Sequence, residues 1–396
     1  MAAHLPPVGN PITRQLLAHP AEILASVFSG FDVFLYRSGT MALGASLVAT
    51  ATTARDRGLK GALEVLMPAY ACPDLVSAVV YAGLKPILVD FEADRPWMDL
   101  DMLRQRLSPQ TVAVIAVSFL GVSERLGQIR DVIGGREVCL IEDSAQYFSR
   151  KEATPPHWTG DLIVLSFGRG KPVSLLGGGA ILCRKGVPGL YPAPALPLAA
   201  EAAALIFEKA GPGLSWQYKI ALYNQLLRPS IYGLLRTLPF LHIGETRYKP
   251  LSSIMSAEGG TPALLAANIL QFQQRERQQQ GWVADLIARL DSARIVDLAK
   301  ACDCDAAEPL LRYPLLLSSS ESRDRLLADL QAKGLGPSGM YPAILPHLPG
   351  LSPLLTGKAE FPNAERFAAT LLTLPTHAGV GLPHIKVMAD VFEESL

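Results

Sequence analysis

The sequence has no excess of charge of either sign. Lysine and arginine together number 36, aspartate and glutamate also number 36, and the formal net charge is zero. A general nucleic-acid-binding protein normally carries a basic excess. The balance therefore argues against that class, and no nucleic-acid partner is predicted.

Cysteine is scarce, and no CxxC pair occurs among the five cysteines. They are scattered and odd in number, which is typical of a cytoplasmic protein with reduced thiols rather than of a disulfide framework. Cys302 and Cys304 lie in a CDCD segment whose spacing differs from that of zinc knuckles. We predict no metal site and a cytoplasmic location.

Long hydrophobic runs are also missing. The N-terminal segment lacks the basic and apolar regions of a signal peptide. The most apolar stretch, 190–207, carries three prolines and Glu201, and its apolar pieces are too short to cross a bilayer. With 49% hydrophobic and 18% charged residues, the chain is expected to fold around a large core without a membrane span.

Short apolar runs alternate with helical patterns through the first half of the chain. Strands are predicted at 64–68, 85–91, 111–119, 137–143, 161–167 and 179–184, and helices at 41–58, 74–83, 99–107 and 124–133. Such alternation predicts an α/β fold with a mostly parallel sheet and helices on both faces. Ligands bind beyond the carboxyl ends of such strands, where Asp90, Ser118, Asp143 and Ser166 are expected.

The rest of the chain predicts a second, smaller α/β domain. We expect a large domain over 1–260, with an irregular helical insert at 187–260. A linking helix over 261–290 and a small C-terminal domain over 291–396 follow. In the small domain, 312–317 reads as a strand, whereas 322–334 and 361–375 read as helices.

A lysine in a glycine-rich segment is the first candidate for chemistry. Residues 166–179 read SFGRGKPVSLLGGG, with Lys171 following an apolar strand. A P-loop needs a glycine where Leu165 stands and a serine or threonine where Pro172 stands. We therefore reject the phosphate-loop interpretation.

A lysine that forms a Schiff base with pyridoxal phosphate is the better interpretation. This cofactor needs an acidic partner for its ring nitrogen, and Asp143 ends a predicted strand. Its phosphate needs hydroxyls at a helix start, and Ser38, Gly39 and Thr40 lie where a strand passes into a helix. Each feature alone has an ordinary structural explanation, but together they favour a cofactor site.

The sequence resembles the DegT/DnrJ/EryC1/StrS family of aminotransferases, which are fold-type-I pyridoxal-phosphate enzymes. The resemblance rests on SGTMAL (38–43), the segment 65–92, LIEDSAQ (140–146), SFGRGK (166–171) and LTLPTH (372–377). It implies that Lys171 is the catalytic Schiff-base residue and that the chain forms a homodimer. The implied cofactor-binding residues are Ser38, Gly39, Thr40, Tyr70, Cys72, Asp143, Gln146, Ser166 and Lys171.

Three departures from the family pattern accompany this resemblance. Cys72 stands where an aromatic ring usually covers the cofactor, and Tyr70 is the nearest aromatic residue. Ser252 replaces an asparagine that usually reaches the partner subunit's phosphate site, and Ser118 replaces a histidine. These changes indicate a divergent branch of the family.

The resemblance implies transfer of an amino group, with glutamate as the expected donor, to a keto sugar that is carried on a nucleotide. Such chemistry would serve amino-sugar, polysaccharide or secondary-metabolite biosynthesis. A cofactor-dependent sugar lyase or dehydratase is one alternative, although dehydratases of this family replace the lysine with histidine. A regulatory protein that binds the cofactor without turnover is the other.

Overall fold

A computed structural model of the protein describes residues 4–15, 17–149, 158–185, 196–204, 213–236, 246–290, 293–306, 308–355 and 359–396. The predicted insert at 187–260 therefore lies partly outside the described residues. Among those that are described, no helix is long and apolar enough to cross a membrane.

A seven-stranded sheet forms the centre of the larger part of the chain. Its strands are β1 (Phe31–Tyr36), β2 (Glu64–Pro68), β3 (Lys85–Val89), β4 (Thr111–Val117), β5 (Cys139–Asp143), β6 (Leu162–Ser166) and β7 (Gly179–Arg184). Their spatial order is β1-β7-β6-β5-β4-β2-β3. The pairings from β6 to β3 are parallel, and β7 runs antiparallel to both β6 and β1. The predicted mostly parallel sheet is confirmed.

Fourteen α-helices are present in the part of the chain that the structure describes. They are α1 (Pro20–Val27), α2 (Gly39–Asp56), α3 (Asp74–Tyr81), α4 (Leu100–Arg106), α5 (Leu126–Ile133), α6 (Ala199–Ala204), α7 (Leu214–Leu226), α8 (Pro229–Arg236), α9 (Thr261–Gln274), α10 (Gln278–Ile287), α11 (Leu298–Ala301), α12 (Ser320–Ala332), α13 (Pro362–Thr370) and α14 (Leu382–Ser395).

Both faces of the large sheet are covered, as the nearly continuous apolar strands predict. Successive residues of one strand point to opposite faces. Accordingly, Val114 joins a buried cluster with Leu103 and Ile129 of α4 and α5, whereas Ile115 joins another with Leu47 of α2. Helices on both faces are therefore confirmed.

A smaller antiparallel sheet lies in the C-terminal part. It contains β8 (Ile295–Asp297), β9 (Tyr313–Leu317) and β10 (Leu371–Leu374), in the order β10-β9-β8. Leu315 and Leu372 pack against Leu326, Leu330 and residues of α14. This α/β unit agrees with the predicted fold class.

Two predicted helices are wrong in extent. The helix expected over 261–290 is interrupted, since Arg275 has an extended conformation between α9 and α10. The helix expected over 361–375 stops at Thr370, and the next four residues form β10 by pairing with β9. At β10, a strand partner that is distant in sequence outweighs local helix propensity.

The two sheets are joined near Gly121, which follows β4. The backbone of Leu120 accepts a hydrogen bond from Leu311 N at 2.8 Å. A Cβ atom on Gly121 would lie 2.8 Å from the Leu310 backbone, and the residue has a positive φ of 93°. Only glycine permits this close contact between the two parts.

Candidate active site

The carboxyl ends of β4, β5 and β6 open into a cleft beside the start of α2. Its lining consists of Gly39, Thr40, Leu43, Cys72, Asp74, Leu75, Val117, Phe119, Asp143, Ala145, Gln146, Val164, Ser166, Lys171 and Tyr341. A cleft at this edge is the usual ligand site of a parallel sheet. We call Gly39, Asp143, Ser166 and Lys171 the cleft floor, and Cys72, Asp74 and Tyr341 the cleft wall.

Lys171 is carried by a tight loop that follows β6. Its backbone N–H donates to Gly168 O at 3.2 Å, which turns the chain back towards the cleft. Among the described residues, no carboxylate lies within ion-pair distance of its amine, although its charge acts on both Cys72 and Asp143. The amine is therefore available to react with a ligand in the cleft.

Asp143 is the last residue of β5 and is buried. One carboxylate oxygen accepts a hydrogen bond from Ala145 N at 2.9 Å. Within the described part of the chain, the other oxygen receives no hydrogen bond. Burial raises the pKa of Asp143 above its ordinary value, and the charge of Lys171 only partly offsets this. Among the described residues, this carboxylate thus has no ion-pair partner.

The start of α2 is held against the end of β6. Ser38 is the N-cap of this helix, and its hydroxyl accepts a hydrogen bond from Met41 N at 3.1 Å. Ser38 therefore satisfies its own helix and does not line the cleft. A Cβ atom on Gly39 would lie 2.6 Å from Ser166 Cβ, so glycine allows the helix start and the Ser166 hydroxyl to lie side by side.

The glycines at 177–179 support this arrangement from behind. Gly178 donates its N–H to Arg37 O at 2.8 Å, and a Cβ atom on Gly179 would lie 2.5 Å from the Ser38 carbonyl. These glycines let β7 pack directly against the segment that precedes α2. Among the three, none lines the cleft itself.

Asp74 lines the cleft and was not predicted as a site residue. The Thr40 hydroxyl donates a hydrogen bond to its carboxylate, with 2.7 Å between Thr40 Oγ1 and Asp74 Oδ2. Its charge raises the pKa of Asp143 and of Cys72. The available signal was its position, two residues after Cys72 at the start of a helix that points towards the cleft.

The cleft wall is closed by Tyr341, which comes from the C-terminal part. Gln146 Nε2 donates to the Tyr341 hydroxyl at 3.0 Å, and Gln146 Oε1 accepts from Leu120 N at 3.0 Å. Cys72 also lies beside the Tyr341 hydroxyl, and burial raises the pKa of the Cys72 thiol to about 11. Cys72 is therefore a neutral wall residue at physiological pH.

Tyr70 and Asp90 lie outside the cleft lining. Tyr70 is buried, and its hydroxyl contacts the backbone of Gly339 and Tyr341, accepting a hydrogen bond from Tyr341 N at 3.1 Å. The carboxylate of Asp90 accepts hydrogen bonds from the backbone of Asn363 and Ala364 at the start of α13. Both residues fasten the C-terminal part to the large sheet.

Comparison with known proteins agrees with this architecture. The sequence model described as the DegT/DnrJ/EryC1/StrS aminotransferase family matches residues 33–186. The dTDP-4-amino-4,6-dideoxy-D-glucose transaminase of Shigella dysenteriae is 30% identical over 154 residues. That match covers 38% of this chain and 39% of the relative, so it spans about two fifths of either protein.

Solved structures match over nearly the whole chain. A DegT DnrJ EryC1 StrS aminotransferase from Brucella abortus has a TM-score of 0.65 at 18% identity, covering 98% of this chain and 91% of that one. NtdA from Bacillus subtilis, solved with the bound cofactor PMP, has a TM-score of 0.67 at 17% identity and covers 97% and 78%. At such identities the likeness establishes the fold.

The predicted resemblance is thereby confirmed: residues 33–186 carry the sequence pattern of the DegT/DnrJ/EryC1/StrS aminotransferase family, and the chain has the fold of that family's solved members.

Proposed function

We propose that the protein is a pyridoxal-phosphate-dependent aminotransferase that transfers an amino group from an amino acid to a keto sugar. The observation that carries this proposal is one cleft beside a helix start that holds a lysine amine and a buried carboxylate, neither of which has an ion-pair partner in the part of the chain that the structure describes. Glutamate is the expected donor, and a nucleotide-linked keto sugar is the expected acceptor.

The residues of the cleft floor fit pyridoxal phosphate. The free oxygen of Asp143 suits a protonated ring nitrogen, because an adjacent carboxylate stabilises that proton. The helix start at Gly39 and the Ser166 hydroxyl suit a phosphate group, and a Cβ atom on Gly39 would fill the space between them. When bound, this cofactor supplies an aldehyde for amine chemistry and a ring that withdraws electrons.

Each floor residue then has a defined task. Lys171 supplies the nucleophilic amine and afterwards moves a proton to or from the substrate carbon. Asp143 holds a proton on the ring nitrogen. Gly39 and Ser166 bind the phosphate, and the apolar side chains of Val117, Phe119 and Val164 exclude water from the reacting atoms.

Covalent trapping tests the role of Lys171. Borohydride reduction of the protein with added cofactor is expected to attach the cofactor to the peptide that contains Lys171. Glutamate should remove the absorbance of the lysine-bound cofactor, and a panel of keto-sugar nucleotides should restore it. No such absorbance after cofactor addition would exclude the proposal.

Product analysis separates the aminotransferase from a sugar dehydratase that uses the same cofactor. An amino sugar is expected from the aminotransferase, and only a deoxygenated sugar from the dehydratase. Lys171 favours the first outcome. A homodimer and a cytoplasmic location stay predictions, and sedimentation analysis would test the first of them.

A further inference from the structure

Helix α7 presents an apolar stripe to solvent. Leu214, Tyr218 and Leu222 are 78%, 75% and 60% exposed. They are four residues apart, so they lie on one face of the helix over about 12 Å. Large exposed apolar side chains that form a continuous patch mark interaction surfaces more often than isolated ones do.

The opposite face of α7 is firmly attached to the protein. Ile220 is fully buried. The Asn224 side chain exchanges two hydrogen bonds of 2.9 Å with the backbone of Ile12, and Trp216 Nε1 donates to Glu258 Oε2 at 2.9 Å. Because this inner face is fixed, the outward direction of the apolar stripe is fixed as well.

The segment that carries the stripe has only basic charged residues. From Gly213 to Arg236 it contains Lys219, Arg228 and Arg236 and no aspartate or glutamate, although the whole chain is balanced at 36 charges of each sign. Lys219 and Arg228 are exposed. The charge of Lys219 contributes to lowering the pKa of Glu258. Glu258 already forms an ion pair with Arg37. The stripe itself is therefore apolar, and the exposed charged residues of its own segment, Lys219 and Arg228, are positive.

We propose that the exposed face of α7 docks on an anionic lipid surface. Helices that lie at a membrane interface combine large apolar side chains on one face with lysine and arginine beside them. Basic residues near the surface are attracted to anionic headgroups, whereas leucine and tyrosine side chains enter the boundary between headgroups and acyl chains. This proposal is independent of the proposed enzymatic function.

A second copy of the chain fits this surface less well. The common twofold interface places the same patch of both subunits against itself. Both copies would then bring positive Lys219 and Arg228 to the same interface with no acidic residue of the 213–236 segment to pair with them, and the like charges would oppose association. An anionic lipid surface has the complementary charge.

Vesicle sedimentation with the full chain tests the proposal. Vesicles of phosphatidylcholine mixed with phosphatidylglycerol are expected to bind the protein at least tenfold more strongly than phosphatidylcholine alone. The variant Leu214→Ser/Tyr218→Ser/Leu222→Ser is expected to lose at least tenfold in binding. Lys219→Gln should lose about fivefold, the usual contribution of one basic residue near an anionic surface.

Leu382→Ser is the matched control, because Leu382 is 59% exposed at the start of α14. Its binding should equal that of the unchanged protein. Circular dichroism melting should show that all variants stay folded, since the altered side chains are exposed. The proposal is overturned if neither vesicle type binds, if both bind equally, or if the triple variant binds as the unchanged protein does. It is also overturned if the triple variant's main effect is to convert a dimer to a monomer.

Discussion

The cleft floor and the cleft wall differ in how closely they keep the family pattern. The floor has the lysine, the carboxylate at a strand end and the glycine at a helix start that the resemblance requires. The wall has Cys72 where an aromatic ring is usual, and Asp74 bonded to Thr40. Both regions line one cavity.

This difference separates the residues that take part in the chemistry from the residues that determine how a bound molecule fits the cleft. The floor residues supply a nucleophile, a ring partner and an anion cradle, and each task needs one particular residue type. The wall residues decide how tightly a bound molecule is held and what shape is accepted. We therefore expect substitution of the charged floor residues Lys171 and Asp143 to remove most of the turnover, and substitution of the wall residues to change affinity by modest factors.

Asp143→Asn should have the largest effect. Without a carboxylate the ring nitrogen would lose its proton, and the rate should fall by about 100-fold or more, as when a preorganised electrostatic partner is removed. Steady-state kinetics with saturating cofactor would measure the loss. A decrease of less than fivefold would contradict the role given to Asp143.

The same substitution should stabilise the cofactor-free protein at neutral pH. Burial raises the pKa of Asp143 in the folded state, so the unfolded chain ionises this group more easily. The contribution of Asp143 to the free energy of unfolding is fully present below its pKa in the unfolded chain. It is lost as the pH rises through its pKa in the folded protein. Without cofactor, the Asp143→Asn variant should therefore melt at a higher temperature than the unchanged protein at pH 7. This difference should vanish near pH 3.

Much of the floor could be predicted from the sequence, because strand ends and helix starts are local features. Asp143, Ser166 and Lys171 follow short apolar runs, and Gly39 precedes an alanine-rich helix. The wall could not be predicted in the same way. Tyr70 lies outside the cleft because its hydroxyl donates hydrogen bonds to the backbone of Gly339 and Tyr341, about 270 residues further along the chain.

Asp74 was missed for a different reason. An acidic residue in the first turn of a helix is ordinarily explained by the helix dipole, and Asp74 is the first residue of α3. Its contact with Thr40 depends on how α2 and α3 pack together. Likewise, the local sequence predicts a helix that continues through β10, because the pairing of β10 with β9 depends on residues that are distant in sequence.

Gly39→Ala should have the next largest effect. The added Cβ atom would lie 2.6 Å from Ser166 Cβ, and crowding of this kind costs about 1–3 kcal/mol. We expect weaker binding of pyridoxal phosphate, by about tenfold, and lower stability in urea unfolding.

Gly281→Ala is the control for this change. Gly281 lies within α10, and a Cβ atom there would meet nothing within 4 Å. Alanine should raise stability by about 0.5–1 kcal/mol at this position and leave cofactor binding unaltered. Equal results for the two variants would remove the distinction between the cleft floor and an ordinary helix surface.

Tyr341→Phe tests the wall. Gln146 Nε2 would lose its acceptor in a buried place, and an unpaired buried donor costs about 1–3 kcal/mol. We expect this loss in urea unfolding, with a change of only a few-fold in turnover. Tyr81→Phe, at a partly exposed tyrosine, should change stability by less than about 0.5 kcal/mol. A turnover loss comparable to that of Asp143→Asn would place Tyr341 with the floor.

Asp74→Asn should have the smallest effect and the opposite sign. The Thr40 hydroxyl gives its single proton to Asp74, so it cannot donate that proton to a phosphate, and the carboxylate also repels an anion. Two unit charges about 4 Å apart interact by about 1 kcal/mol in water, and a change of this size predicts about fivefold tighter binding of pyridoxal phosphate. Binding of pyridoxal, which has no phosphate, should be unaltered.

Asp56→Asn is the matched control for Asp74→Asn, because it removes the same charge at the far end of α2. It lies about 24 Å from Thr40 along the helix, and salt screens charges over about 10 Å. Its affinity for pyridoxal phosphate should therefore equal that of the unchanged protein. If Asp74→Asn instead weakened binding, Asp74 would be part of the phosphate cradle, and the boundary between floor and wall would have to be moved to include it.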